Sequence, residues 1–187
     1  MDTADRDAAA LLQFNRQLLE QALALVAAHE VPTATPVPAY ASHAGAHVRH
    51  VIEHYEALLF APCAGVVDYD ARARDRDLEQ DTALARERLL RLAQHLMHWL
   101  AVALAAPIEV RTRGGPSGEV EFTTVSSVGR ELVFLAGHAV HHFALLQIYC
   151  AQHGISMGAR FGKAPATSRT RCVTPEPTRH SLPKELA

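Results

Sequence analysis

His138 and His142 stand four residues apart inside the apolar run Gly137-His138-Ala139-Val140-His141-His142-Phe143-Ala144-Leu145-Leu146. On a helix, residues i and i+4 share a face one turn apart, so these two imidazoles can reach one point in space. Such a point is a candidate metal site, and it needs a third ligand from elsewhere in the chain. Both histidines project into the stripe of Leu135, Leu146 and Tyr149, which faces the core. Burying two imidazoles together is costly if either becomes charged, and a shared metal removes that cost. His141 points off this face, toward the surface or its boundary. The zinc-protease pattern His-Glu-x-x-His is absent, because Ala139 follows His138.

The third ligand is sought in Gly45-Ala46-His47-Val48-Arg49-His50-Val51-Ile52-Glu53-His54-Tyr55, where three histidines recur at spacings of three and four. Helical phase places His47 and His54 closer than His50 to the apolar face of Val48, Val51, Tyr55, Leu58 and Leu59. Phase alone therefore ranks His47 first.

These histidines need helices to hold them, and the periodicity supplies four. Residues 5–29 read as an amphipathic helix with Leu11, Phe14, Leu18, Ala22 and Leu25 at helical spacing. Pro32, Pro36 and Pro38 break it. A second helix covers residues 42–59 and ends before Pro62 and Gly65. The mixed-charge stretch 67–77 then reads as a solvated crossover, long enough to join opposite ends of a bundle. A third helix covers residues 77–104, with a stripe of Ala85, Leu89, Leu92, Leu96, Trp99 and Ala103, and stops at Pro107. Residues 108–112 and 119–125 alternate apolar and polar positions around Gly114-Gly115-Pro116-Ser117-Gly118, which predicts a hairpin packed on the helices. Ser126 and Ser127 offer N-caps for the fourth helix, and Gly154 offers its stop. The expected fold is all-α: a four-helix bundle with a long crossover between helices two and three and a small β-hairpin before helix four. Residues 1–155 form that domain, and residues 156–187 form an extended tail packed through Phe161 and Pro165.

Composition narrows the partners. The chain has 187 residues, 49% of them hydrophobic, enough for one domain with a core. A formal charge of −2 argues against nucleic acid as the main partner. The start carries Asp2, Asp5 and Asp7 rather than a basic segment and an apolar one, so no signal peptide is expected. The apolar run around Trp99 falls short of the roughly 20 residues of a membrane span, so no membrane partner is expected. Cys63, Cys150 and Cys172 are scattered and odd in number, which suits a reducing cytoplasm. Histidine is the unusual entry in the composition, at 12 against 4 Tyr and 1 Trp.

Taken together, the 45–55 segment and the His138-Ala139-Val140-His141-His142 segment resemble the DinB/YfiT-like family of metal-dependent proteins. The resemblance runs from the first helix to about Tyr149. In that family a second-helix histidine and a His-x-x-x-His pair on the last helix hold a divalent metal. The second-helix ligand is followed by an apolar residue and, three residues on, an acid. His50, with Val51 and Glu53, fits that pattern, and the resemblance therefore implies a metal triad of His50, His138 and His142. It also implies a thiol S-transferase or hydrolase acting on a small-molecule substrate, such as a low-molecular-weight thiol.

Three neutral imidazoles leave a metal at least one open position, where it can activate water or hold a thiolate. The donor set suits Zn, Ni or Fe. His47, His54, Tyr69, Arg72 and Glu131 are candidate surrounding or substrate-contacting groups, with Asp70 and Arg74 also in the crossover. A competing reading is a non-catalytic metal-binding homodimer, with His47 or His54 closing the site as a fourth ligand. A third has no metal, the histidines forming a pH-sensitive buried cluster.

Overall fold

The computed structural model describes residues 3–31, 37–60, 65–98 and 104–166. In chain order these form α1 (Thr3–Ala28), a 3-10 turn (Tyr40–Ser42), α2 (Ala44–Leu59), β1 (Val66–Asp68), α3 (Asp77–Gln80), α4 (Thr82–His98), β2 (Pro107–Gly114), β3 (Val120–Ser127) and α5 (Val128–Gln152). The proline break at 32–36, Pro62, Cys63, Trp99, Ala103, Cys172 and the tail beyond residue 166 lie outside the described residues.

The long helices pair through their apolar stripes. Leu12, Leu18, Leu19, Ala22, Leu25 and Val26 of α1 are buried, at the three- and four-residue steps that one helical face requires. They pack on α4 and α5, and α2 packs on the same two helices. α4 contributes Ala85, Leu89, Leu92 and Leu96. α5 contributes Leu132, Leu135, Ala136, Ala139, Phe143 and Leu146. By length and composition α5 could cross a bilayer; here it keeps one face in the core and leaves Val133, Leu145 and Ile148 exposed. One polar pair crosses the apolar interior: buried Tyr55 on α2 donates its hydroxyl to Asn15 Oδ1 on α1 at 2.8 Å. Asn15 in turn donates to the Leu11 carbonyl at 2.9 Å, so neither polar group is stranded.

The molecule is mostly helical, but it is not the clean all-α bundle expected. It carries a three-stranded mixed sheet in the order β1-β2-β3. β2 and β3 form the expected hairpin, antiparallel from Pro107↔Ser127 to Gly114↔Val120. The crossover adds the third strand. Val66, Val67 and Asp68 pair in parallel with Glu109, Val110 and Arg111. The open edge of β2 had backbone groups to satisfy, and the short Val-Val pair beside the charged stretch satisfies them. Asp70 then fastens the crossover to the hairpin, accepting from the Arg113 amide at 2.7 Å and from the Thr112 hydroxyl at 3.2 Å.

The expected third helix is also interrupted. Asp81 has extended backbone, and its carboxylate accepts from the Ala83 and Leu84 amides. It thereby caps α4 and separates it from the single turn of α3. Ser127 caps α5 from extended backbone, accepting from the Arg130 amide. Beyond α5, Gly154 sits at φ +66, and Phe161 returns to stack on Phe143 with ring centroids 5.3 Å apart.

α3 lies against α2 at a glycine. A Cβ on Gly45 would overlap the Glu79 carbonyl, and nearby Tyr40 donates its hydroxyl to the Leu78 carbonyl at 3.2 Å. Backbone cannot yield there as a flexible side chain would. Gly45→Ala is expected to destabilise the protein by about 1–3 kcal/mol, the usual cost of overpacking. Urea unfolding would show this as a lower midpoint; an unchanged midpoint would mean that α3 is not seated on α2.

Candidate metal centre

Two rows of imidazoles meet where α2 crosses α5. His47, His50 and His54 come from α2, and His138 and His142 from α5. One ligand atom from each of His50, His138 and His142 lies within 4.8 Å of the others. Neither His47 nor His54 belongs to that mutually close set. Helical phase had favoured His47, but the crossing of the two helices turns the His50 side toward the His138–His142 face. His141 is exposed, one step off that face.

Each ring has a neighbour that restrains it. The Nδ1 atoms of His142 and His47 lie 2.8 Å apart, so one of the two rings donates to the other. With His142 as donor, its Nε2 keeps the lone pair that a metal needs. His54 donates from Nδ1 to the His50 carbonyl at 2.7 Å and stacks on Tyr69. Its ring centroid is 4.3 Å from that of His138. Arg72 donates to His50 Nδ1 at 3.0 Å. His138 differs from the rest: its Nε2 is buried and has no hydrogen-bond partner. A buried lone pair or N–H without a partner costs roughly 1–3 kcal/mol, and a bound cation is one way to recover it. That orphaned nitrogen, among three converging rings, fits a metal ion.

Electrostatics favours the same fit. Burial is the largest cause holding the histidines below the usual imidazole pKa. His50 and His142 are pushed down to about 3 and His54 to about 4, while His47 and His138 are lowered as well. Repulsion between neighbouring rings adds to it, and Arg72 adds to it at His50, His54 and His138. At neutral pH the cluster is therefore a set of neutral nitrogen donors. Cys150 supplies no thiolate: it is buried, and its thiol is pushed up to about 11.

Glu131 and Tyr69 surround the cluster without facing it as donors. The Glu131 carboxylate is 1% exposed and accepts from Tyr69, Ser126 and Arg130, which ties it to the crossover, β3 and α5. The Tyr69 hydroxyl is raised well above its ordinary pKa by burial and by Glu131, so it remains a donor. In the sequence Glu53 stands out only as an acid three residues after His50. It is in fact a buried hub, accepting from the Asp75 amide at 2.7 Å and lying 3.5 Å from Arg49 and from Arg72. His43 extends the α2 row by one more four-residue step and was not picked out; it stacks on Tyr149 and approaches His47. Two clefts flank the cluster. One of about 510 Å³ is lined by His43, His47, Leu145, Ile148, Tyr149 and His153, among others. The other, of about 580 Å³, is lined by Glu53, Glu56, Phe60, Arg72 and Arg111, among others.

No family model matches the chain, and no solved structure matches it. A curated protein of Rhizopus delemar named FK506-binding protein 5 is 31% identical over 102 residues, 54% of this chain and 26% of that protein. The chain thus spans about a quarter of the length of that relative. The relative's name lies outside the DinB/YfiT-like family. It overturns the resemblance to that family, and with it the thiol S-transferase or hydrolase activity the resemblance implied. The reason is physical. Histidines three and four residues apart are what any helix must use to present imidazoles on one face, so the spacing reports a shared face and not a shared ancestry.

The lowered pKa values predict acid sensitivity of the metal-free protein. An unfolded histidine takes up its proton near pH 6.5, whereas folded His50 and His142 resist until about pH 3. Between those values the unfolded state binds more protons, so stability falls as pH drops. Melting in a chelator from pH 7.5 to 4 should show a steady loss of Tm beginning below about pH 6.5. A double variant, His50→Gln with His142→Gln, should show a shallower slope. Equal slopes in the two proteins would mean that these rings are not held neutral by the fold.

Proposed function

We propose that the chain is a metal-ion-binding module. His50, His138 and His142 would hold a divalent transition ion, Zn, Ni or Fe. The observation that carries this reading is the buried, unpartnered Nε2 of His138 within a group of three mutually close histidines. Neutral imidazoles suit these ions, and no proton competes for them near neutral pH. The His47–His142 hydrogen bond supports the reading, because ligating histidines are commonly oriented through their second nitrogen. Such an ion supplies Lewis acidity when bound. The protein's own contribution is to hold the half-buried rings of two helices in register.

A second reading rests on the relative's name: the segment shared with FK506-binding protein 5 binds FK506. The flanking clefts, about 510 and 580 Å³, are of a size that takes small ligands. Calorimetric titration with FK506 decides it, since heat that saturates at one equivalent supports it and none at high micromolar concentration removes it.

The ion-binding reading has direct tests. Untagged protein loaded with zinc and freed of excess ion should retain about one equivalent, and His142→Ala should lose it. His47→Ala should still bind, about 10–100-fold more weakly, as expected for a residue that orients a ligand. Free zinc at about 100 times its Kd should stabilise the protein by about 2.7 kcal/mol, a Tm rise of about 5–10 °C, which chelator reverses. Equal metal content in the wild type and His142→Ala would place the ion elsewhere.

A further inference from the structure

Arg72 and a metal ion would want the same residue. A guanidinium has only donors and is always charged, so in the 3.0 Å contact between Arg72 and His50 it is the imidazole Nδ1 that accepts. A neutral imidazole has one lone pair and one N–H. With the Nδ1 lone pair engaged by Arg72, the proton sits on Nε2. Neither nitrogen of His50 is then available to a cation. The charge of Arg72 beside the cluster opposes a divalent ion further.

The crossover is built to hold Arg72 there. Its Nε donates to the carbonyl of Tyr69, and its guanidinium lies 3.5 Å from buried Glu53. The side chain is 10% exposed. Arg74 donates back to the Arg72 carbonyl from φ +53, a left-handed conformation that non-glycine residues seldom adopt. Beside Arg72 lies the cleft of about 580 Å³, lined also by Glu53 and Glu56. A guanidinium leaving His50 would have space there, while Glu53 could remain its ionic partner.

We propose that Arg72 is a latch on His50 that an incoming metal ion must displace, so that competition with Arg72 sets the affinity of the site. This rests on the ion-binding reading above. When the guanidinium leaves, the ring can give up its Nε2 proton to water and take one at Nδ1, which frees Nε2 as a donor atom. The net charge of His50 does not change in that exchange. The latch makes the site weaker than its three imidazoles alone would be, and ties its filling to movement of the crossover.

The test titrates zinc into metal-free wild type, Arg72→Ala, Arg72→Met and His142→Ala against a chromophoric chelator. Circular dichroism checks that each is folded, and Arg72→Met keeps the side chain's apolar stem. Both Arg72 variants should bind zinc about 10–100-fold more tightly than wild type, the range lost with one charge-assisted hydrogen bond. Nitrogen-15 NMR of metal-free wild type should show His50 protonated at Nε2 and bare at Nδ1, with that preference lost in Arg72→Ala. Equal or weaker zinc binding by the Arg72 variants, with His142→Ala defective, overturns the latch and leaves the ion-binding reading standing. A metal-free His50 protonated at Nδ1 overturns it too. Binding that is absent throughout, or indifferent to His142→Ala, removes the ion-binding reading and the latch with it.

Discussion

Five imidazoles are brought together across the contact between α2 and α5, and the water they lose there governs much of what surrounds them. A charged ring in that setting would be expensive, so the fold holds the rings neutral. Neutral rings keep hydrogen-bonding atoms that must be answered. His47 answers His142, the His50 carbonyl answers His54, and Arg72 answers His50. His138 is left with a buried nitrogen that nothing answers.

The cluster is kept in place by two buried carboxylates rather than by apolar packing alone. Glu131 joins the start of α5 to Tyr69 in the crossover and Ser126 in β3. Glu53 joins α2 to Arg72 and to the Asp75 amide. Each carboxylate is stable in the interior because donors surround it, and removing a donor would leave charge without compensation. Together they convert a charged connector into a structural wall on one side of the histidines. The third strand does the same for the hairpin, since pairing β1 with β2 covers part of the β2 edge and anchors the crossover from which Arg72 projects.

Local signals in the sequence carried much of the fold. The stripes of α1, α2, α4 and α5 follow from period 3.6. The hairpin follows from alternation about Gly115 and Gly118, whose φ values of +91 and +68 only glycine adopts easily. What local signals missed was a matter of competition between groups far apart in the chain. Val66 and Val67 form too short a run to announce a strand, and became one because β2 had an edge to pair. Asp81 interrupts a periodic helix because its own carboxylate caps the next one.

The candidate site divides along the same line. The sequence by itself determined that His138 and His142 share a face, because four residues make slightly more than one helical turn. It determined that α2 carries a second row of histidines for the same reason. Which member of that row meets the pair was decided by tertiary structure. Phase within α2 ranks residues against that helix's own apolar face and contains nothing about the angle at which α5 crosses it. That crossing selects His50 and leaves His47 as the neighbour of His142. The placement of Arg72 on His50 belongs to tertiary structure too, since it depends on a crossover held by Glu53, Tyr69 and β2 at once.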